Sequence, residues 1–404
     1  MQSAPNPHDR NDRKTRATVF ERHTKLIRVL LVLLPILALD CGASLVLGPG
    51  TVNDFRSRHP YFHHGLLSNR EAIAAWGDGE PYPIFTNSLG LLDRAARQVP
   101  LESSKHRILF IGDSYTEGLG VPFDETFVGL ISERVDPNEV EILNAAVLSY
   151  SPKLYYLKTR YLIERQGLQF DELYVFIDIS DIQDEILYSD FVPSERAPNR
   201  GLGERIHRHL TRYSFAYWAI ERLRRHQQIQ RRMQRYNAQV YPPWLNYFWH
   251  DDVNEEAYSD PDFVQIRAFW TLSDQLIRSK WTQRGIQSAW KHMDKLVRLC
   301  RERGIRVTIG VYPWTVQIAE HDIDSLQVRL WRDFAEKHDV GFIDLFPNLI
   351  GELPIAEFEA RYVLPGDAHW NAEGHRLVAD GVWPHIANGL RAANDPAPTA
   401  LRPR

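Results

Sequence analysis

The feature that most constrains the fold is a rhythm that begins at residue 106. Short apolar runs at 107–111, 140–144, 172–178, 306–311 and 340–344 alternate with longer amphipathic stretches at 125–134, 152–166, 285–304, 323–338 and 372–391. Short apolar runs read as buried strands, and longer stretches with a 3.6-residue period read as helices. Alternation of the two is the pattern of a parallel sheet with crossover helices. Because such crossovers are right-handed and bury both faces of the sheet, the predicted fold is an α/β class, three-layer α/β/α sandwich around a central parallel sheet. A chain of 404 residues, 44% hydrophobic and 25% charged, holds enough material for that domain with an insertion.

The insertion is predicted at 185–284, after the third strand, where the rhythm breaks into a helical stretch rich in arginine and tryptophan. It carries Arg222, Arg224, Arg225, Arg231, Arg232 and Arg235, with Trp218, Trp244, Trp249, Trp270 and Trp281. The ordinary reading is packed tryptophans and solvated charges. The functional readings are a cap offering aromatic rings to sugars and arginines to acidic glycans, or a basic face toward anionic lipid headgroups. Residues 50–105, punctuated by Pro60, Pro81, Pro83 and Pro100, have no clear period and are predicted to wrap the 106–391 domain as irregular structure with short helices. The Pro/Ala-rich end, 392–404, is predicted as a flexible tail.

Residues 26–48 are mostly apolar, and about twenty such residues span a bilayer as a helix. Arg10, Arg13, Lys14, Arg16, Arg22, Lys25 and Arg28 precede or open it, a basic flank that keeps residues 1–25 cytoplasmic. The predicted location is therefore the inner membrane, single-pass, with everything after residue 50 on the periplasmic side. Asp40 and Pro35 interrupt the span, and its continuous apolar part, Val29 to Leu39, is only as long as the core of a signal peptide. A peptide cleaved near Cys41-Gly-Ala-Ser44 and a buried core helix are the competing readings; the lack of a clean Ala-x-Ala site favours an uncleaved anchor.

Composition narrows the function classes. A net charge of −4, without a dominant basic face, gives no footprint for nucleic acid. Two cysteines, Cys41 and Cys300, form neither a disulfide framework nor a cysteine-rich metal site. The sixteen histidines show no His-Glu-x-x-His spacing, and His63-His64 and His207/His209 are read as loop or surface residues, so no metal and no cofactor are expected.

Chemistry is concentrated at two places. In His106-Arg-Ile-Leu-Phe-Ile-Gly-Asp-Ser-Tyr-Thr-Glu-Gly118 the apolar run stops at Gly112-Asp113-Ser114, presenting Ser114 where Glu117-Gly-Leu-Gly120 turns and backbone amides can converge on one point. Alone, this serine is equally a helix cap. Far downstream, Gly366-Asp367-Ala368-His369-Trp370-Asn371 offers an imidazole with a carboxylate beside it, and alone it is a surface loop. Together they supply the nucleophile, base and orienter that acyl transfer needs.

On these residues the chain resembles the SGNH/GDSL hydrolase superfamily, with blocks in the family's order from about residue 106 to 391. The resemblance implies a flavodoxin-like α/β/α fold, Ser114 as nucleophile, His369 as base and Asp367 as its orienter. It also implies an oxyanion hole from the Ser114 and Ser149 amides and the Ser180 hydroxyl. The last block has Asp-x-His-Trp where Asp-x-x-His is commoner in the family, and the two middle blocks also depart from the pattern. In Asn144-Ala-Ala-Val-Leu-Ser-Tyr-Ser-Pro152, Ser149 stands where the family usually has glycine. In Asp178-Ile-Ser-Asp181, Ser180 stands where it has asparagine. Losing one oxyanion donor costs about a hundredfold in rate, so lowered activity is expected. Asp178 and Asp181 are read as turn caps in preference to metal ligands.

The spacing Asp-x-His-Trp is similar to that of SGNH-like proteins that O-acetylate exported polysaccharides. The expected function is a membrane-anchored, extracytoplasmic serine esterase acting on O-acyl, notably O-acetyl, groups of a carbohydrate or another ester through an acyl-Ser114 intermediate. The alternatives are acyl transfer to a polysaccharide by the same triad, within an envelope polysaccharide machinery, or an inactive glycan-binding protein.

Overall fold

The computed structural model describes residues 23–47, 55–76, 79–194, part of 203–227, residue 257 and residues 260–394. The chain divides into two units, residues 1–50 with 200–227 and residues 51–199 with 228–404.

Among the described residues the larger unit has ten strands: β1 (Arg56–His59), β2 (His63–Leu66), β3 (Arg70–Ala74), β4 (Tyr82–Thr86), β5 (Leu92–Asp93), β6 (His106–Ile111), β7 (Val140–Asn144), β8 (Glu172–Ile177), β9 (Arg306–Val311) and β10 (Gly341–Asp344). β1 and β2 form an antiparallel ribbon, and the other eight make one sheet in the order β10-β9-β8-β6-β7-β5-β4-β3. Within it β7, β6, β8, β9 and β10 pair in parallel. Numbered among themselves, these five run 2-1-3-4-5, the flavodoxin-like order, in which ligands bind beyond the carboxyl ends of the strands at the switch between the first and third. Here that switch lies between β6 and β8. The chain thus has the α/β/α fold that its resemblance to the SGNH/GDSL superfamily implied.

The five parallel strands fall within a residue or so of the predicted runs, and the central ones do so because they are buried on both faces. Every residue of β8 is buried, as are all but the first of β6. Such strands read as continuous apolar runs. The helices Pro152–Arg160, Asp181–Leu187 and Lys280–Glu302 pack together as one layer, and Phe127–Glu133 packs with Ala372–Asn394 in the other.

The reading of residues 50–105 as irregular with short helices is corrected. The described part carries β1 to β5, and β3, β4 and β5 extend the parallel sheet antiparallel beyond β7. These strands are only two to five residues long, so they leave too short a period to read. His63 and His64, predicted at the surface, are buried inside this segment; their Nδ1 atoms lie 2.7 Å apart, and His64 Nε2 lies 2.8 Å from the Leu148 carbonyl.

In the insertion, Trp270 and Trp281 are core residues, with the Trp270 indole donating to the Ile179 carbonyl at 2.8 Å, so neither is a sugar platform. Arg222, Arg225, Arg231, Arg232, Arg235, Trp244 and Trp249 lie outside the described residues, as do the tails 1–22 and 395–404.

The smaller unit contains the helix Thr24–Leu47, long and apolar enough to cross a membrane. At 1.5 Å per residue it reaches about 36 Å, against a hydrocarbon core of about 30 Å. Its large apolar side chains from Val29 to Leu39 lie open, with Leu31 68% and Leu39 74% exposed. Asp40, the polar flaw in the span, accepts the Ala216 N–H at 2.8 Å. Residues 215–221 are helical, so this carboxylate caps a helix start and gains a partner there.

Candidate active site

β6 delivers the first group. The strand ends at Ile111, Asp113 caps the short helix Ser114–Glu117 by accepting the Tyr115 N–H at 3.0 Å, and Gly118 closes that helix in the left-handed region with φ 87°. Gly112 is required by close approach, since a Cβ there would sit 2.3 Å from Thr116 Oγ1. Ser114 is thus held at the carboxyl end of β6, beside the switch point.

The second group arrives from the segment between the helix Ile355–Tyr362 and the last helix. Val363 and Trp370 bridge antiparallel, and the Leu364 amide donates to the His369 carbonyl at 2.9 Å, forming a closed loop that carries Asp367 and His369. Trp370 anchors the loop by packing, buried, against Tyr115 and Tyr312, each with ring centroids 4.7 Å away. The Tyr115 hydroxyl donates to the Ala368 carbonyl at 2.7 Å, tying the loop directly to the serine's helix.

The two groups meet across 255 residues of sequence, with His369 Nε2 2.8 Å from Ser114 Oγ. His369 Nδ1 bonds Asp367 Oδ1, which also accepts the amides of Ala368 at 2.7 Å and His369 at 2.9 Å. A carboxylate at Nδ1 draws the ring proton there and leaves Nε2 as the acceptor for the serine hydroxyl. Burial alone would raise the Asp367 pKa, but the hydrogen bond and charge of His369 and these amides hold it well below the usual carboxylate range. Asp367 therefore stays ionised, as an orienter must.

The neighbouring loop is held against the serine's turn. The Val147 amide donates to the Gly112 carbonyl at 3.2 Å, and the Leu148 amide to Glu117 Oε2 at 2.6 Å. Glu117 is buried and takes both terminal nitrogens of Arg56, a two-point ion pair from β1. Ser149 has φ 63°, the left-handed region that glycine enters freely, which accounts for the glycine usual there in the family that the chain resembles. Its hydroxyl pairs with Tyr188 at 2.8 Å, and its amide finds no acceptor among the described residues. The Ser114 amide heads a helix and has no intrahelical acceptor.

Ser180 is different. Its amide and its hydroxyl both donate to Asp178 Oδ1 at 2.7 Å, so its one hydroxyl proton is already committed. The expected hydroxyl donor to an oxyanion is not available in this arrangement.

Asp113, Asp178 and Asp181 lie buried with ligand atoms within 4.8 Å of one another. Each is tied by donors: Tyr312 to Asp113 at 2.8 Å, Trp314 to Asp178 at 2.6 Å and Tyr155 to Asp181 at 2.8 Å. Burial, then the charge of Asp178, pushes both Asp113 and Asp181 well above the usual carboxylate range. Asp178 caps a turn, as expected, by accepting the Ser180 amide, and Asp113 does the same for Tyr115; Asp181, also expected to cap a turn, instead accepts the Tyr155 hydroxyl.

Ser114, Asp367 and His369 are therefore brought together, and the Ser149 loop is fastened beside them. Tyr115, Glu117, Arg56 and Trp76 were not singled out from sequence. Only Glu117 carried a signal, by its place in the glycine-containing turn after Ser114.

No protein-family model matches the chain, and no curated protein matches it. Among solved structures it is similar to a catalytic mutant of an acetylxylan esterase from Geobacillus stearothermophilus, 14% identical, covering 71% of this chain and 96% of that one with a TM-score of 0.37. It is also similar to a member of the lipolytic G-D-S-L family from Veillonella parvula, 15% identical, covering 70% and 98% with a TM-score of 0.34. An esterase from Pseudoalteromonas is 9% identical, covering 71% and 100% with a TM-score of 0.35. At these identities and scores the likeness carries no chemistry over to this chain.

Proposed function

We propose that the chain is an SGNH-type serine ester hydrolase, anchored in the inner membrane by its N-terminal helix and acting outside the cytoplasm on O-acyl groups of a carbohydrate. One observation carries the chemistry: the continuous path from Ser114 Oγ through both nitrogens of His369 to Asp367. Ser114 attacks the ester carbonyl while His369 Nε2 takes its proton, and the oxyanion forms at the Ser114 and Ser149 amides, which have no acceptor among the described residues. His369 then protonates the departing alcohol, leaving acyl-Ser114, and next draws a proton from the water that releases the acid.

The anchor reading rests on the apolar helix Thr24–Leu47 and the basic residues before it. The carbohydrate reading rests on the Asp367-Ala368-His369-Trp370 spacing. The test is the fate of acetyl groups when the full chain, in detergent, meets an acetylated oligosaccharide and an unacetylated one. Free acetate supports hydrolysis, acetyl on the second sugar supports transfer, and no acetyl movement from any ester overturns the enzymatic reading.

A further inference from the structure

Asp367 has two oxygens with different duties. Oδ1 takes the His369 ring and two backbone amides, whereas Oδ2 accepts the Trp76 indole N–H at 2.9 Å, across 291 residues of sequence. The Trp76 ring also meets His369 edge to face, with centroids 5.5 Å apart and planes at 87°. Trp76 follows β3, at the far edge of the sheet from β10, in the segment without readable period. An indole N–H is a donor only and does not titrate, so it neither takes a proton from the triad nor gives one up. Its effect on a carboxylate is to fix the rotation of the group and stabilise its charge.

We propose that Trp76 is a positioning residue of the triad, holding Asp367 by Oδ2 so that Oδ1 stays on the His369 imidazole. The inference rests on the reading of Ser114, His369 and Asp367 as a triad. Without the indole N–H, the carboxylate is held on one side only and turns about its Cβ–Cγ bond, and the imidazole loses its fixed direction toward Ser114. A carboxylate turned off the imidazole also stabilises the imidazolium less.

Trp76→Phe keeps a ring against His369 and removes the donor. In the full chain with an activated acetyl ester, kcat is expected to fall about tenfold, the scale of one lost hydrogen bond to a charged group. KM and the melting temperature should stay near wild type, and the acid limb of the kcat/KM profile should move to lower pH. Wild-type kcat with an unmoved acid limb would reduce Trp76 to packing and overturn the proposal. A second readout needs no turnover: the downfield Nδ1–H proton resonance of His369, assigned by its loss in Asp367→Asn. It should shift or broaden in Trp76→Phe, and an unchanged resonance would equally overturn the role. Full activity in Ser114→Ala would instead remove the triad reading itself.

Discussion

At the scale of single residues, the site is a set of protons already assigned to acceptors. Ser114 donates to His369, while the Ser180 hydroxyl donates to Asp178. That difference separates them experimentally. Ser180→Ala is expected to lower kcat on an acetyl ester less than about tenfold, whereas a true oxyanion donor costs about a hundredfold or more; a hundredfold loss would show that the hydroxyl turns toward substrate during reaction. Ser114, Asp367 and His369 were legible in the sequence because a strand-end serine and a local Asp-x-His pair are short-range patterns. Ser180 was misread because its type was visible and its acceptor was not. Trp76 gave no signal at all, since a lone tryptophan in an aperiodic segment looks the same whether it packs or donates.

At the scale of elements, legibility followed burial. β6 and β8 are enclosed on both faces and declare themselves as apolar runs, while β3 and β4 alternate between buried and open positions, β5 is two residues long, and all three hid among prolines. The hidden strands matter to the site, because their segment sends Arg56 to Glu117 and Trp76 to Asp367. The same segment meets the helix Pro152–Arg160, where Phe62 faces the ammonium of Lys158 at 4.3 Å. Burial lowers the Lys158 pKa from 10.5 to about 7, and only 2% of the residue is exposed. Below pH 7 the amine is charged in both folded and unfolded states, and the full cost of burying that charge falls on the fold. Above it the cost fades toward pH 10.5 as the unfolded amine also loses its proton. Lys158→Met is therefore expected to stabilise by roughly 2 kcal/mol at pH 6, the ring contact offsetting part of the burial cost, with the gain shrinking at alkaline pH. Urea unfolding at pH 6 and pH 9 checks this, and a gain that grows with pH would contradict it.

At the scale of the whole molecule, buried acids set the pH response. Burial raises Asp184 from 3.8 to about 6 against the pull of Arg267. The unfolded chain releases this proton near pH 4 and the folded chain near 6, so the fold holds the extra proton between them and loses stability as pH rises through that window. Relative to wild type, Asp184→Asn should gain up to about 3 kcal/mol between pH 4 and 6 and stay level above, read from unfolding midpoints; a difference independent of pH would contradict the shift. Asp367, held low, works in the opposite sense: its contribution is present above about pH 4 and is lost as pH falls. The two-layer packing around a parallel sheet brings these acids, the serine and the imidazole to one end of the strands. The claim that this end is a serine hydrolase site is tested most directly by treating the full chain with a fluorophosphonate and locating the adduct by mass spectrometry. A single adduct is expected on Ser114, lost in Ser114→Ala and strongly slowed in His369→Ala. No adduct on the folded wild-type chain, or one on a different residue, would contradict it.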